Sequence, residues 1–490
     1  MNYLRRFVSS LGRYELVAFV TGFALMAFEL IAARLLAPSV GSSTYVWTSV
    51  IGSMIAALAL GYAFGGWLAD KRVAIQDIAY LLVLGAIAMA ASLVTYDSVL
   101  LLITGVFVDA RVAGVVAALV LFMPTSFLLG IVSPYLARLR VKSVATAGRS
   151  VASLSAFNSF GGIMGTFVTG FVFFSFIGSR ESLALLIVAL LACSWLFLPR
   201  IRTSARAVAT GVILLVVVME LAPFNRASAI NIDTPTSHYR VQTGTYRGKN
   251  VTVLVTGPSG IQSGVFANGS RDLVFPYTQA MAEVVAEAPK KDRIAMLGGG
   301  VFTLPEYLAK AYPESQIDVV EIDPQLEQIA KNHFGYTAPA NVHAIAEDAR
   351  TFARSALQKY DVILIDVFNE QTTPFSVSTR EFTQELKNII QPGGVIAVNI
   401  IGSLGKNCAP LFSSLHASYR SAFTERRLIP VGDPAFEQRQ NIIGVYANSS
   451  LDWLKDHRAW NDVPLSSAIE LTDNFAPTDA LAQTCATPTQ

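Results

Sequence analysis

Three consecutive glycines, Gly298-Gly299-Gly300, follow a short apolar run at residues 293–297 that is typical of a buried strand. Glycine lets the backbone turn tightly and approach a ligand closely, and a helix beginning there would leave its first amides free to bind it. About 20 residues further on, Glu321 ends the next apolar run, where a carboxylate can accept hydrogen bonds from both ribose hydroxyls. This spacing predicts a nucleoside site. A glycine turn that serves only packing is the alternative.

The elements that would position these residues alternate between strands and helices. The predicted strands are Arg293–Leu297, Ile317–Ile322, His343–Ala346, Tyr360–Val367 and Gly394–Ile401. The first is followed by a helix with Pro305 near its start. Such alternation predicts a parallel, doubly wound, Rossmann-like α/β sheet. Three shorter strands with turn residues between them precede this pattern, at Tyr239–Thr245, Asn250–Thr256 and Gly260–Ala267.

These motifs resemble those of the spermidine synthases, and more closely their membrane-fused relatives. The glycines resemble the start of that family's glycine motif, and residues 321–323 match its ribose-binding E-I-D. The strand at 360–366 ends in Asp366, as does the family's strand that carries the catalytic aspartate. The more specific resemblances are Gln262-Ser263, Arg271-Asp272 and Phe275-Pro276-Tyr277 before the sheet, and Leu471–Pro477 near the end of the chain.

The resemblance implies a transferase whose co-substrate is S-adenosylmethionine or its decarboxylated form. It implies Asp366 and Tyr277 as the catalytic residues, with Asp366 as general base or electrostatic partner. A role for Asp366 in capping or in the ribose loop is the alternative. The cofactor-binding residues that the resemblance implies are Gln262, Gly298, Gly299, Gly300, Glu321 and Asp348, the last near the adenine amine.

Three acids that the family uses around a diamine are missing here. Val301 and Asn369 stand where the family has aspartates, and Thr278 and Gln279 stand where it has a glutamate. A diamine carries two positive charges, so its pocket needs carboxylates. Glu370 could replace only one of them. The sequence therefore argues against putrescine as the acceptor, and the acceptor stays unknown.

Composition divides the chain into two unlike halves. Of its 490 residues 52% are hydrophobic and 15% charged, whereas a soluble chain carries about 25% charged residues. Residues 1–222 contain 15 Lys/Arg and 8 Asp/Glu, and the remainder contains 22 and 27. We expect a transmembrane domain at 1–222, a linker with a small β region at 223–292, and a nucleoside-binding domain at 293–490.

The first half is predicted to be an all-α polytopic bundle whose partner is the lipid bilayer. Seven apolar segments are long enough to span, since about 17–25 residues suffice. They are 15–36, 45–68, 78–96, 112–136, 152–176, 182–198 and 206–222. The apolar stretch 98–107 is short and bounded by Asp97 and Asp109, so we expect a loop or half-helix there.

Loop charges predict how the bundle is oriented. Twelve Lys/Arg lie at alternate ends of the spans, and only Arg111 and Arg180 lie at the opposite ends. This bias places the amino terminus in the cytoplasm, with the protein in an inner or plasma membrane. Seven spans then put the C-terminal domain outside the cytoplasm, although one miscounted helix would reverse this. Residues 65–71 also resemble the G-x-L-A-D-K/R loop of major-facilitator transporters, which is cytoplasmic in that family.

Three functions remain open from the sequence. The first is a membrane-anchored spermidine synthase-like transferase. The second is a methyltransferase or a sulfonium-cleaving enzyme, and the third is a transporter or nucleoside-binding membrane protein without catalysis. A cytoplasmic co-substrate also conflicts with an external domain, unless the helix count is wrong, the bundle delivers the ligand, or the ligand is different.

Composition and spacing exclude two other classes of site. A net charge of +2 without a basic stripe gives no argument for nucleic acid. Five scattered histidines and three cysteines without metal spacing argue against a metal. In an oxidising compartment Cys408 and Cys485 could form a disulfide, while Cys193 in the sixth span would stay unpaired. A homodimer is one of the oligomeric states left open.

Overall fold

The computed structural model describes residues 12–41, 43–107, 109–197, 210–211, 229–257, 260–368, 373–403, 408–433, 435, 438–455 and 468–485. The chain divides into two compact units. One consists of residues 1–227 and 232–238, and the other of residues 228–231 and 239–490.

The first unit is built from helices. They are α1 (Arg13–Val40), α2 (Thr44–Lys71), α3 (Ile75–Val106), α4 (Ala110–Leu121), α5 (Met123–Arg140), α6 (Val144–Val168), which continues as a π-helix over Thr169–Ile177, and α7 (Ser179–Ser194). Helix α1 packs closely on α6, because a β-carbon at Gly161 would overlap the backbone oxygen of Phe19. Helices α2 and α5 meet in the same way at Gly61 and Phe127. Small residues permit such close contact between helix backbones.

Four described helical segments are long and apolar enough to cross a membrane, and the pair α4 and α5 would make a fifth. Helix α7 has 16 residues, and the predicted span 206–222 lies outside the described residues except for 210–211. The number of seven spans therefore stays a prediction.

Two details of the predicted bundle need correction. The expectation of a loop or half-helix at 98–107 is wrong, because α3 continues to Val106. Asp97 lies 2.7 Å from the guanidinium of Arg180, so its charge is compensated without ending the helix. The span predicted at 112–136 is instead broken, with a bend of 50° between α4 and α5. Pro124, at the start of α5, has no amide hydrogen to continue a single helix.

The second unit contains two sheets. The smaller sheet has four strands in the order β1 (Ala229–Asp233), β2 (His238–Tyr246), β3 (Lys249–Thr256) and β4 (Gly260–Phe266). Strands β2, β3 and β4 are antiparallel neighbours. The three strands predicted from sequence are confirmed to within about one residue at each end, and β1 is additional. Helix α8 (Pro276–Glu287) then leads into the larger sheet.

The larger sheet has seven strands, and its helices cover both faces. In chain order the elements are β5 (Arg293–Leu297), α9 (Thr303–Ala311), β6 (Gln316–Glu321), α10 (Leu326–Phe334), β7 (Val342–Ala346), α11 (Ala349–Ser355), β8 (Tyr360–Ile365), α12 (Arg380–Ile389), β9 (Ile390–Gly402), α13 (Ala409–Arg420), β10 (Glu425–Pro430) and β11 (Gln440–Ala447). A last helix, α14, covers Thr478–Cys485.

The strand order is β7-β6-β5-β8-β9-β11-β10. Strands β5 to β9 are parallel, and β11 and β10 are added antiparallel at one edge. The predicted Rossmann-like α/β fold is thus confirmed for this part of the chain. The order reverses between β5 and β8, and ligands of such sheets bind at the carboxyl ends of the strands at this switch point.

The end of the chain is fastened to the sheet domain by a disulfide. Cys408, just before α13, is bonded to Cys485 at the end of α14, and their α-carbons are 4.3 Å apart. The hypothesis of this bond is confirmed, and Cys193 is a free, buried cysteine.

Candidate functional site

The three glycines form the turn between β5 and α9. Gly298 and Gly300 have positive φ angles of 90° and 51°, which side chains rarely adopt. A β-carbon at Gly298 would overlap the backbone oxygen of Asp366, and one at Gly300 would overlap the hydroxyl of Ser263. The end of β8 and strand β4 therefore lie directly against this turn, and glycine is required for them to do so.

Glu321, the last residue of β6, is held beside the same turn. Its Oε2 accepts a hydrogen bond of 2.9 Å from the Gly299 amide, and its Oε1 accepts one of 3.1 Å from the Asp323 amide. Burial raises the pKa of Glu321, while these backbone amides act in the opposite direction. A carboxylate has about four lone-pair positions. Three backbone amides, those of Gly299, Gly300 and Asp323, act on this carboxylate, which leaves acceptor capacity for a ribose hydroxyl, so the residue fits the role predicted for it.

Asp366, Tyr277 and Gln262 come together from three separate segments. Asp366 directly follows β8, and Tyr277 lies in the first turn of α8, where its ring stacks on that of Phe275 with centroids 6.2 Å apart. The Tyr277 hydroxyl donates a hydrogen bond of 3.2 Å to the backbone oxygen of Gln262, in β4. The same hydroxyl is near enough to the Asp366 carboxylate for each group to shift the pKa of the other. The two predicted catalytic residues are therefore neighbours.

The surroundings of Asp366 suit a proton acceptor. Burial raises the pKa of Asp366 to about 6, although hydrogen bonds from Asn399 and Tyr277 favour the ionised form. The pKa of Tyr277 is well above its ordinary value because of burial and the negative charge of Asp366. At neutral pH Tyr277 is therefore protonated and Asp366 is ionised. A base with a pKa slightly below the working pH is well suited to accept a proton.

The sequence did not identify two asparagines that continue this network. Asn399, buried in β9, donates a hydrogen bond of 2.9 Å from its Nδ2 to Oδ1 of Asp366. Asn441, in β11, donates one of 3.0 Å to Oδ1 of Asn399. A signal was present, because Asn399 is a polar residue within the apolar run 395–401, but only the pairing of β8, β9 and β11 shows its partners.

Asp348, which the resemblance places near the adenine amine, takes part in capping a helix. It caps α11, where its carboxylate accepts hydrogen bonds from the amides of Arg350 and Thr351, at 3.1 and 3.0 Å. Capping of this kind stabilises a helix by about 1 kcal/mol. Asp348 follows β7 and so lies at the same edge of the sheet, but no contact joins it to Glu321 or Asp366. Its part in adenine binding stays a prediction.

The residues that replace the family's acids do not form a cation site where they are described. Val301 is buried. Thr278 is buried, and its hydroxyl donates a hydrogen bond of 2.7 Å to the backbone oxygen of Phe275. Gln279 is exposed, and its side-chain amide donates a hydrogen bond of 2.7 Å to the backbone oxygen of Leu273. Asn369 and Glu370 lie outside the described residues.

The closing motif at 471–477 binds to the sheet domain through one buried arginine. The guanidinium of Arg350 donates to both carboxylate oxygens of Asp473, at 2.6 and 2.7 Å. It also donates to both oxygens of Glu385, each at 3.0 Å. Asp473 accepts a further bond of 2.9 Å from the hydroxyl of Thr379. In this structure the motif therefore ties the end of the chain to α11 and α12.

Comparison with known proteins shows which domain family the residues around this site resemble. Residues 274–424 match the spermine/spermidine synthase domain. The chain is 36% identical over 156 residues to a polyamine aminopropyltransferase of Vibrio vulnificus (strain CMCP6). The matched segment is 31% of this chain and 50% of that protein. It is 30% identical over 131 residues to the eEF1A lysine and N-terminal methyltransferase of Homo sapiens, covering 24% of this chain and 18% of that one.

Among solved structures, a probable spermidine synthase from Corynebacterium glutamicum ATCC 13032 matches with 25% identity and a TM-score of 0.39. That match covers 45% of this chain and 81% of the other. Residues 274–424 of the C-terminal part are similar to the spermine/spermidine synthase domain, and the chain spans about half the length of the aminopropyltransferase that it matches. These relatives support a transferase enzyme.

Proposed function

We propose that the protein is a membrane-anchored transferase that moves a carbon group from an adenosyl sulfonium co-substrate to an acceptor nitrogen. The observation that carries this proposal is the contact of the glycine turn with both Glu321 and Asp366 at the switch point of the sheet. Glu321, the proposed ribose-binding carboxylate, and Asp366, the proposed proton acceptor, both lie against this turn. The co-substrate is S-adenosylmethionine or its decarboxylated form.

The residues present fit such a co-substrate. Glycines with positive φ at 298 and 300 keep the turn free of side chains. The Glu321 carboxylate keeps acceptor capacity for the ribose, and α9 begins at Thr303, just after the turn, so that its amino-terminal end is near the site. When bound, the sulfonium makes its attached carbon electrophilic, so that a nitrogen can displace the thioether.

In the transfer, a bond forms between the acceptor nitrogen and the carbon, and the carbon–sulfur bond breaks. Its electron pair goes to sulfur, which becomes a neutral thioether. The nitrogen loses a proton, which Asp366 accepts at its carboxylate. Tyr277 keeps its own proton, and its hydroxyl favours the ionised form of the Asp366 carboxylate. Most of the acceleration in such a displacement comes from positioning, and proton transfer by a suitable base adds about 10²–10⁴-fold.

We further propose that the acceptor is not putrescine. The described residues at the departures from the family are a buried valine and a threonine whose hydroxyl is used within its own helix turn. Neither supplies a carboxylate for a second ammonium group. The human relative, a lysine and N-terminal methyltransferase of eEF1A, favours methyl transfer to a protein as the second candidate.

We propose that the first unit crosses the membrane. Its helices carry large apolar side chains that remain exposed in the folded chain; they include Ile55, Leu101, Leu102, Phe171 and Phe176. Exposed apolar surface of this kind is costly in water and is accommodated by lipid. The loop charges favour a cytoplasmic amino terminus, and seven spans would put the C-terminal domain outside the cytoplasm.

The nucleoside that is released identifies the reaction before the acceptor is known. Purified full-length protein in detergent is incubated with each co-substrate, with and without a pool of small-molecule amines and proteins from cell extract. Amine-dependent methylthioadenosine from the decarboxylated form indicates aminopropyl transfer. S-adenosylhomocysteine from S-adenosylmethionine indicates methyl transfer, and methylthioadenosine without an acceptor indicates sulfonium cleavage. If no nucleoside product forms although both co-substrates bind, the transferase proposal is wrong and a binding protein is favoured.

A further inference from the structure

Two hydrogen bonds lead from Asn441 through Asn399 to Asp366, and both have the donor on the side away from Asp366. Nδ2 of Asn441 donates to Oδ1 of Asn399, and Nδ2 of Asn399 donates to Oδ1 of Asp366. An amide presents a donor on one side and an acceptor on the other. Asn441 occupies the acceptor side of Asn399, so that only the donor side can face Asp366.

This direction matters for the protonation of Asp366. A donor from Asn399 stabilises the ionised carboxylate, whereas an amide oxygen in the same place would repel it and would require a protonated acid. Tyr277 is the titratable side chain that contacts Asp366 in the described part of the chain, and it stays protonated at neutral pH. The orientation of one amide therefore helps to decide whether Asp366 can accept a proton.

We propose that Asn399 is a positioning residue for the transfer reaction, and that Asn441 orients it so that it holds Asp366 as an ionised proton acceptor. The role in transfer depends on the function proposed above. Asn441 does not contact Asp366, so its effect passes through the amide of Asn399. Asn399 is buried in β9 and Asn441 is partly buried in β11. The hydrogen bonds of their side chains lead to Asp366 and not to Glu321, so we expect the pair to act on the base and not on nucleoside binding.

The test is to reverse the direction of the network without changing its shape. Asn441→Asp replaces the donor by an acceptor of the same size. The Asn399 amide should then turn over to donate to the new carboxylate and present its oxygen to Asp366. We expect the midpoint of the Asp366 titration to rise by about one pH unit or more, the usual scale for such a change of neighbour.

The titration can be followed by infrared spectroscopy on the full-length protein in detergent, without an acceptor or turnover. The carboxylic C=O band that is missing from Asp366→Asn belongs to Asp366. Asn332→Asp, on the exposed side of α10, introduces the same charge and is the matched control. It should leave the midpoint unchanged.

A double variant separates the amide from a direct effect of charge. With Asn399→Leu in place, adding Asn441→Asp should change the midpoint no further, because the connecting amide is gone. A rise that persists in the double variant, or no rise in Asn441→Asp itself, overturns the inference. Should Asn399→Leu fail to fold, Asn399→Ala takes its place in the double variant, with the same two outcomes.

Turnover, once measured, gives an independent readout. The acidic limb of the rate profile should move up with the titration, while the KM for the co-substrate stays the same. If the titration shifts in a protein that transfers nothing, the network stands and the proposed function fails. If transfer occurs and the titration does not shift, only the role of Asn399 and Asn441 is wrong.

Discussion

Replacing Asp366 by asparagine should stabilise the protein, and the gain should depend on pH. The side chain keeps its shape. Its Oδ1 can still accept from Asn399, and its amide can donate to the Tyr277 hydroxyl, which leaves no new polar group unpaired. What disappears is the cost of holding a buried negative charge, which raises the pKa of Asp366 from 3.8 to about 6.

The size and sign of the effect follow from that difference. A rise of about 2 in the pKa corresponds to at most about 3 kcal/mol, since a rise of one corresponds to about 1.36 kcal/mol. Since the folded state binds the proton more tightly, it holds more protons than the unfolded state between about pH 4 and 6. Stability of the natural protein therefore falls as the pH rises through this range. The advantage of Asp366→Asn should be near zero at about pH 4 and complete above about pH 6.

Thermal unfolding midpoints of both proteins, measured in the same detergent from pH 4 to 8, provide the assay. Asp452→Asn is the control, because the side chain of Asp452 is 89% exposed and its contact with Arg427 is long, at 3.9 Å. It should show no such pH dependence. If the unfolding midpoint of Asp366→Asn is lower than that of the natural protein at pH 8, or differs from it by the same amount at every pH, the buried charge of Asp366 does not have the expected cost.

Three further outcomes are expected. Putrescine with decarboxylated S-adenosylmethionine should yield little or no spermidine, measured by chromatography of the amines, and efficient synthesis would show that the departures from the family's acids were misread. Asp473→Asn should lower the unfolding free energy by about 1–3 kcal/mol, because it weakens the charge-assisted hydrogen bonds to buried Arg350. Asp452→Asn should leave the unfolding free energy unchanged, and denaturant unfolding measures both variants. In intact cells, a thiol reagent that cannot cross the membrane should label Cys408 and Cys485 only after reduction. Labelling that also requires permeabilisation would place the domain in the cytoplasm and contradict seven spans.

The parts of the fold that could be predicted are those encoded by neighbouring residues. The strand at 293–297, its glycine turn and the acid at the end of β6 follow from apolar runs and spacing within about 30 residues, the scale of one βαβ unit. Strand β10 was missed because its sequence, Glu425–Pro430, begins with three charged residues and is defined by pairing with β11. Helix α3 was cut short because a charge at Asp97 was read without its distant partner, Arg180.

Of the candidate site, the sequence predicts the residues that directly follow or end the parallel strands. Gly298, Glu321 and Asp366 could be placed together because the carboxyl ends of parallel strands share one edge. The capping role of Asp348 depends on the local course of α11, and spacing alone does not distinguish it from a ligand contact. Asn399 stands out locally as a polar residue in an apolar run, but its contact with Asp366 depends on the pairing of β8 with β9, and its contact with Asn441 on the antiparallel strand β11. Neither pairing can be read from the local sequence.

The proposed function requires that the glycine turn and Glu321 bind the nucleoside of an adenosyl sulfonium compound. Calorimetric titration of the purified full-length protein with S-adenosylmethionine and its decarboxylated form measures this binding. We expect at least one of them to bind, and the binding free energy to be weaker in Glu321→Ala by about 1.5–3 kcal/mol, the value of hydrogen bonds to a charged group. Asp348→Ala serves for comparison, since its carboxylate caps a helix. Unchanged affinity of folded Glu321→Ala, or no binding of either compound to the natural protein, would contradict the claim.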